Sequence, residues 1–409
     1  MGDVERYPWE TGARAAEPKV VVRIAPCIAD VPAAEWDACA TGGALQAPAT
    51  SPANPFVSHA FLKALEESGS ATRATGWLPQ HLLYEDGAGR LLACMPCYLK
   101  SHSQGEYVFD HGWAEAYMRA GGRYYPKLQA SVPFTPVTGP RLLVRDCADR
   151  SERQTILLDA GVTLANELGV SSLHITFMTR AEWDLAGRRG FLKRTDQQFH
   201  WRNDGYACFD DFLGALTSRK RKTIRKERRE ALDGGVDIEW VTGRALTEAH
   251  WDAFFAFYMD TGSRKWGSPY LTRECFSLLG QSMADQLLLI LAKRGGRYIA
   301  GALNLIGADT LYGRYWGATE SHDFLHFEVC YYQAIAFAIA HGLATVEAGA
   351  QGAHKLARGY LPVETYSAHY IADPGLRRAV ADYLRRERLA VAHEAALLGE
   401  ESPYRRDRD

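Results

Sequence analysis

The sequence predicts a mixed α/β (α+β) fold in which one unit, a central mixed β-sheet flanked by helices, occurs twice. Two observations carry the prediction. Residues 157–177 (LLDAGVTLANELGVSSLHITF) and 330–350 (CYYQAIAFAIAHGLATVEAGA) each run as an apolar helix, a glycine (Gly169 or Gly342) and a short apolar strand. Both passages continue alike: Leu185-Ala186, Gly190-Phe191 and, ten positions after that glycine, His200-Trp201 match Leu356-Ala357, Gly359-Tyr360 and His369-Tyr370. The second observation lies upstream in each copy, where residues 82–99 and 289–306 show an apolar run, a tight Gly-Arg joint and another apolar run. Such a pattern signals a β-hairpin.

The elements follow in order. A flexible tail is expected over 1–18, and 40–55 is loop-like, rich in Gly, Ala, Pro and Thr. The first domain spans 19–204 and includes a helix over 56–68, where Phe61, Leu62 and Leu65 have helical spacing. Within it, 111–145 is rich in Gly, Pro and aromatics and reads as a loop or lid. A basic connecting helix covers 205–235 and ends at Gly234-Gly235. The second domain, assigned the chemistry, spans 236–373. After Pro374 an amphipathic helix with Leu376, Val380, Leu384 and Leu389 leads into the tail, 374–409, and suits packing or dimerisation.

Composition narrows the function classes. The chain has 409 residues, a net charge of -2 and 47% hydrophobic residues, so attraction to polyanions must be local. No stretch reaches the roughly 20 uninterrupted apolar residues of a membrane span, and no apolar signal-peptide core opens the chain, so a cytoplasmic protein is expected. The eight cysteines lack paired spacing and are expected reduced. Cys94 and Cys97 have no second ligand pair nearby, so no metal site is expected.

The local charge sits in 218–229, where eight of twelve residues are Lys or Arg. Few acidic partners at i+4 neutralise them, and Arg219, Lys222, Arg225 and Lys226 are the candidate phosphate or nucleic-acid contacts. The alternative is a solvated helix face.

A duplicated hairpin-helix-strand-helix-strand unit joined by this basic helix resembles the tandem GNAT-fold acyltransferases. Within them it is most similar to the Fem-type peptidyltransferases and their bacterial relatives described as N-acyltransferases. The shared motifs are Asn54-Pro55-Phe56, residues 134–140 (FTPVTGP), Trp316-Gly317 and residues 349–355 (GAQGAHK), and they extend over nearly the whole chain. The resemblance implies transfer of an acyl or aminoacyl group from an activated ester or thioester to an amine-bearing acceptor. In such a fold the donor lies along two splayed central strands, and a free backbone N–H there binds the oxyanion, worth about 3 kcal/mol. Positioning of the two substrates supplies much of the remainder.

One departure bears on the donor. Acetyl-CoA-dependent members of the fold carry a Gln/Arg-x-x-Gly-x-Gly/Ala loop, whose amides hold a pyrophosphate at a helix N-terminus. Residues 146–151 and 321–328 stand in its place and carry carboxylates. An aminoacyl-tRNA is therefore the favoured co-substrate, with no tightly bound cofactor. The alternatives are an acyl-CoA-dependent N-acetyltransferase and a non-catalytic RNA-binding or regulatory protein on the same scaffold.

The copies diverge where His174 of the first matches Glu347 of the second. Glu347, His326 and Glu328 are the candidate catalytic groups, since a histidine or a buried carboxylate can take the amine's proton. Helix capping is the alternative for Glu328. Arg314, Tyr315 and Trp316, on a strand between Gly313 and Gly317, are candidate substrate contacts, as are Gln351, His354 and Lys355 beyond a strand end. Lys265 and Trp266 lie in 261–267, which reads as an exposed gripping loop. His200 and His369 recur in both copies and point to a role in the fold.

Overall fold

The computed structural model describes residues 21–42, 54–265, 269–350 and 352–405. The expected tail 1–18 and most of the 40–55 stretch lie outside these residues. Among the described residues, nine strands come from the first half: β1 (Val22–Ala25), β2 (Trp77–Pro79), β3 (His81–Glu85), β4 (Leu91–Met95), β5 (Tyr98–Lys100), β6 (Lys127–Ala130), β7 (Leu143–Val144), β8 (Ser172–Met178) and β9 (Leu192–Arg202). Six come from the second: β10 (Val236–Thr242), β11 (Leu287–Arg294), β12 (Arg297–Ile306), β13 (Thr310–Ala318), β14 (Thr345–Glu347) and β15 (Leu361–Ile371). The expected hairpins are β3–β4 and β11–β12, both antiparallel.

Each half does not keep a sheet to itself, as the repeat suggested. β1, β3, β4 and β7 form a small sheet, and the other strands make one sheet of eleven in the order β10-β11-β12-β13-β14-β9-β15-β8-β6-β5-β2. The closing strands have changed places: β9 of the first half lines β14 of the second, and β15 of the second lines β8 of the first. β9 and β15 also pair with each other along nine positions, from Leu361 opposite His200 to His369 opposite Leu192. Each long strand thereby satisfies a backbone edge that its partner half would leave open.

The segment 111–145 is more ordered than a loop. It holds a helix (His111–Arg119), all of β6 and β7, and Trp113, which is buried beside the C-terminal helix Pro374–Glu400. Asp373 caps that helix by accepting from Leu376 N at 2.7 Å. Leu376, Val380 and Leu384 are buried, and Arg194 of β9 grips Glu387 through two hydrogen bonds of 2.8 and 2.7 Å. The helix thus packs on its own chain.

The connecting region is two helices, Phe209–Ala215 and Ser218–Ala231. The chain is extended at Leu216, where it bridges to Tyr404, and Thr217 N donates to Pro403 O. This break turns Ile224, Glu227 and Ala231 of the second helix into the interior. Among the described residues no helix is long and apolar enough to cross a membrane.

Candidate active site

β13 and β14 run parallel from Thr310 opposite Thr345 to Tyr312 opposite Glu347, and there the pairing stops. β13 continues to Ala318, so the two strands part beyond Glu347. On its other side β13 carries a bulge: Tyr315 faces Leu303 and Gly313 faces Asn304, leaving Arg314 as the extra residue. A bulge bends its strand and re-aims the side chain upon it. Here Arg314 Nη2 donates to Glu347 Oε1 at 2.6 Å and Nη1 to Gly313 O at 2.8 Å. Gly317 serves another purpose. A Cβ there would lie 2.1 Å from Phe257 O, so the helix Glu248–Lys265 can rest on β13 only because the residue is glycine.

Glu347 is 1% exposed. Besides Arg314, it accepts from Thr138 Oγ1 at 3.2 Å, and His200 Nε2 lies 3.9 Å from Oε2. A buried carboxylate is tolerable when cations and donors surround it in this way. Arg141 adds a further charge. Burial pulls its pKa down to about 10 against the opposing pull of Glu182 and Glu347.

The first half supplies Thr138 through a clamped loop. Asn54 Nδ2 donates to Thr138 O at 2.9 Å, Gln198 Nε2 to Pro136 O at 2.6 Å, and Tyr315 Oη to Phe134 O at 2.8 Å. The motifs at 54–56 and 134–140, far apart in sequence, therefore meet in one structure that seats Glu347.

His200 lies on β9, directly across from Glu347. Its Nε2 is 3.4 Å from Gln198 Oε1, and Nδ1 has no hydrogen-bond partner among the described residues. A proton on Nε2 satisfies Gln198 and faces Glu347, which leaves Nδ1 as the basic nitrogen. Burial lowers the His200 pKa, as do Arg314, Arg202 and Lys355, while Glu347 raises it. Beside His200 opens a cleft of about 220 Å³ lined by Thr138, Gly139, Met178, Thr179 and Arg180 of the first half and by 363–366 of β15.

The sequence pattern of the FemAB-like family, described as peptidoglycan biosynthesis/recognition, matches residues 27–406. The chain belongs to the FemAB-like family. Its fold is that of FemX, whose crystal structure superposes with a TM-score of 0.53 at 14% identity, covering 86% of this chain and 98% of that one. L-PGS from Bacillus licheniformis (TM-score 0.49, 9% identity, 79% and 96% covered) is also similar. So is a tandem GNAT protein from the clavulanic acid biosynthesis pathway, without AcCoA (0.46, 11%, 87% and 99%). No curated protein matches the sequence.

In this FemAB-like chain the remaining candidate residues separate into groups. Arg314 meets Glu347, as described. Tyr315 is half-buried and spends its hydroxyl on the 134–140 loop. His326 lies in an aromatic cluster with Trp316 (5.3 Å between centroids), Tyr331 (5.3 Å) and His354 (6.3 Å). Within it Tyr331 Oη and His354 Nε2 are 3.0 Å apart.

Glu328 is fully buried and holds Arg228 Nη2 at 3.0 Å and Gln333 Nε2 at 2.7 Å, so its oxygens fasten the basic helix rather than meeting Glu347. Lys355, its pKa pushed down to about 8 by burial, donates to Ala348 O (2.6 Å) and Gly349 O (3.2 Å) and pins the turn after β14. Lys265 ends a helix where a loop was expected; Phe254 and Phe257, buried at helical spacing, hold that helix on the sheet. Trp266, Gln351 and the Lys265 side chain lie outside the described residues.

The basic helix is only partly free for a ligand. Glu227 accepts from Arg358 Nη2 at 2.7 Å and from Tyr332 Oη, which ties the helix inward. Arg225 meets Asp210 at 3.1 Å and Lys226 meets Glu230 at 3.7 Å. Arg219 and Lys222 are exposed. Arg225, Arg228 and Arg229 line a cleft of about 340 Å³ with Asp210, Phe209, Leu213 and Leu232.

The recurrence of His200 in the sequence points to a fold feature; the structure sets it across from Glu347 and at the edge of a cleft. The sequence repeat matches Glu347 with His174, but which histidine-bearing strand lies opposite each is set by the crossing of β9 and β15.

Proposed function

We propose that the chain transfers an acyl or aminoacyl group from an activated ester or thioester to an amine. The observation that carries this reading is the parting of β13 and β14 beside the Arg314 bulge, directly over an anchored carboxylate and a histidine. Parted strands leave backbone N–H groups unpaired by the ladder and able to hold an oxyanion. In the reaction the amine nitrogen forms a bond to the carbonyl carbon, and the bond from that carbon to the donor's oxygen or sulfur breaks. The leaving atom takes its electron pair and one proton.

Aminoacyl-tRNA is the favoured donor. Exposed Arg219 and Lys222 and the Arg-lined cleft beside them suit RNA phosphates, which give affinity without sequence preference. Acyl-CoA is the second reading, because the same arginines would also suit its phosphates. The family's description directs the search for acceptors toward amine-bearing peptidoglycan precursors. The test offers the purified protein charged tRNA or acyl-CoA together with amines and follows donor consumption and product mass. Sustained consumption of one donor with a new amide supports the reading. No turnover with either donor overturns it and favours a non-catalytic RNA-binding role.

A further inference from the structure

Resting on the RNA-donor reading, we infer that the cleft between the two connecting helices seats one unpaired nucleotide of an RNA strand, its base stacked at the Arg228–Phe209 pair and its phosphate on Arg225 and Arg229. The lining suits both parts of such a ligand. Phe209 and Leu213 of the first helix and Leu232 at the end of the second are apolar, and the three arginines stand among them.

The stacking platform is already assembled. The Arg228 guanidinium lies 4.3 Å from the Phe209 ring centroid, and Glu328 holds it there through Nε at 3.1 Å and Nη2 at 3.0 Å. Phe209 is braced edge-on by Phe212 and Tyr332, with centroids 5.4 and 6.3 Å away. Although a buried carboxylate meets its charge, Arg228 lines the cleft with 26% of its side chain exposed. A fixed planar group of this kind offers a flat face more than a free charge, and unpaired bases stack on aromatic rings and guanidinium planes alike.

Phosphate contacts fall to its neighbours on the helix. Arg229 is exposed and meets no carboxylate among the described residues. Arg225 pairs with Asp210, the acid in the lining, but both are exposed, and such a pair is weak enough to exchange for phosphate. Lys222 stands three residues before Arg225 and Arg219 three before that, so a strand leaving the cleft meets further cations on the same helix. A coenzyme has no use for that extension, which favours RNA as the source. The cleft also adjoins the transfer site. Glu227, beside Arg228, accepts from Arg358 Nη2 at 2.7 Å, and Arg358 lies 3.4 Å from the centroid of Phe327. Phe327 neighbours His326 at 5.6 Å, which meets Trp316 on the open end of β13.

The test is direct binding with uncharged RNA, so it stands apart from the turnover assay. A fluorescent single-stranded oligoribonucleotide, and the same strand annealed to its complement, are titrated with the full chain at several salt concentrations, and CoA is added as competitor. The single strand is expected to bind more tightly than the duplex. Phe209→Leu should weaken it about tenfold and keep the salt slope, because stacking releases no counterion. Arg229→Gln, at an exposed position, should weaken it and flatten the slope by about 0.7. In a second arm, an iodouridine-substituted strand is irradiated with the unaltered protein and should crosslink to the peptide that holds Phe209. Equal affinity for single strand and duplex, a Phe209→Leu variant that binds like the parent, or crosslinks confined to other peptides overturns the inference. Ready displacement of the strand by CoA overturns its RNA source. Strand binding without turnover would leave the seat standing and count against the transferase reading alone.

Discussion

The two halves place different pairs at matching positions of the sheet. Across β8 and β15, His174 faces His369; across β14 and β9, Glu347 faces His200. The first pair is sealed. His174 and His369 touch through their Nδ1 atoms at 2.7 Å, His174 Nε2 meets Ser172 Oγ at 2.7 Å, and Trp113 covers His369 at 5.0 Å. Nearby, Lys127 holds Glu106 at 2.7 Å and also Asp110, which accepts from Tyr124 Oη at 2.7 Å. The second pair is open on one side, with a cleft beside its histidine. The crossed strands thus carry one closed and one accessible version of the same junction. The closed one carries the helix His111–Arg119 as its cover.

The comparison can be broken first at its buried cations. Arg314→Met would remove the closest cation from Glu347, and Lys127→Met the cation shared by Glu106 and Asp110. Each should cost about 3–5 kcal/mol in chemical denaturation, the scale for removing one partner of a buried pair. Equal losses in both halves would show that the two junctions matter alike for folding, and a loss under about 1 kcal/mol at either would remove its structural role.

Next comes the asymmetry in chemistry. His200→Gln should lower turnover about a hundredfold with folding intact, whereas His369→Gln should leave turnover close to that of the parent. Glu347→Gln should also lower the His200 titration midpoint, because the carboxylate raises it in the intact protein. An unchanged midpoint, followed by ring signals, would detach Glu347 from His200.

A smaller effect concerns acid. Burial, with Lys127 and Arg194 nearby, pushes the His174 pKa down to about 3, and burial also lowers that of His369. The unfolded chain takes up these protons near pH 6.5 and the folded chain does not, so stability is fully present above that pH. It falls as the pH drops from about 6.5 toward 3, by about 2 kcal/mol at pH 5 for His174 alone. The double variant His174→Gln/His369→Gln should show less of this difference between pH 7 and pH 5; the parent slope retained would assign it to other groups.

The smallest expected change in stability is at the outer face of the basic helix. Arg219→Glu with Lys222→Glu should alter stability by less than about 0.5 kcal/mol. The same pair should weaken charged-tRNA binding in a salt-dependent manner, and unaltered affinity would refute the RNA role.

Much of this arrangement was legible in sequence because its signals are local. The hairpins at 82–99 and 289–306, the apolar helices and the repeated Gly-to-His spacing each follow from short-range periodicity. Glu347 stood out as a carboxylate among the apolar residues Val346 and Ala348. The errors share one physical origin, since they depend on what a segment meets. The stretch 111–145 became helix and strand because Trp113, Tyr124 and β6 gain burial against distant elements. Glu328 looked available until Arg228, a hundred positions earlier, occupied it. The basic helix reads in sequence as a free positive face, whereas in the structure Glu227 and Arg228 are spent on Arg358 and Glu328.

The order and spacing of residues determined that one α/β unit would be built twice and that the copies would differ at His174 and Glu347. Only the tertiary structure decided that the closing strands would cross to the other half. Strand pairing is set by long-range backbone satisfaction and leaves little trace in local pattern. That crossing brings His200 and Thr138 of one half to Glu347 and Arg314 of the other, so the site belongs to the joined molecule.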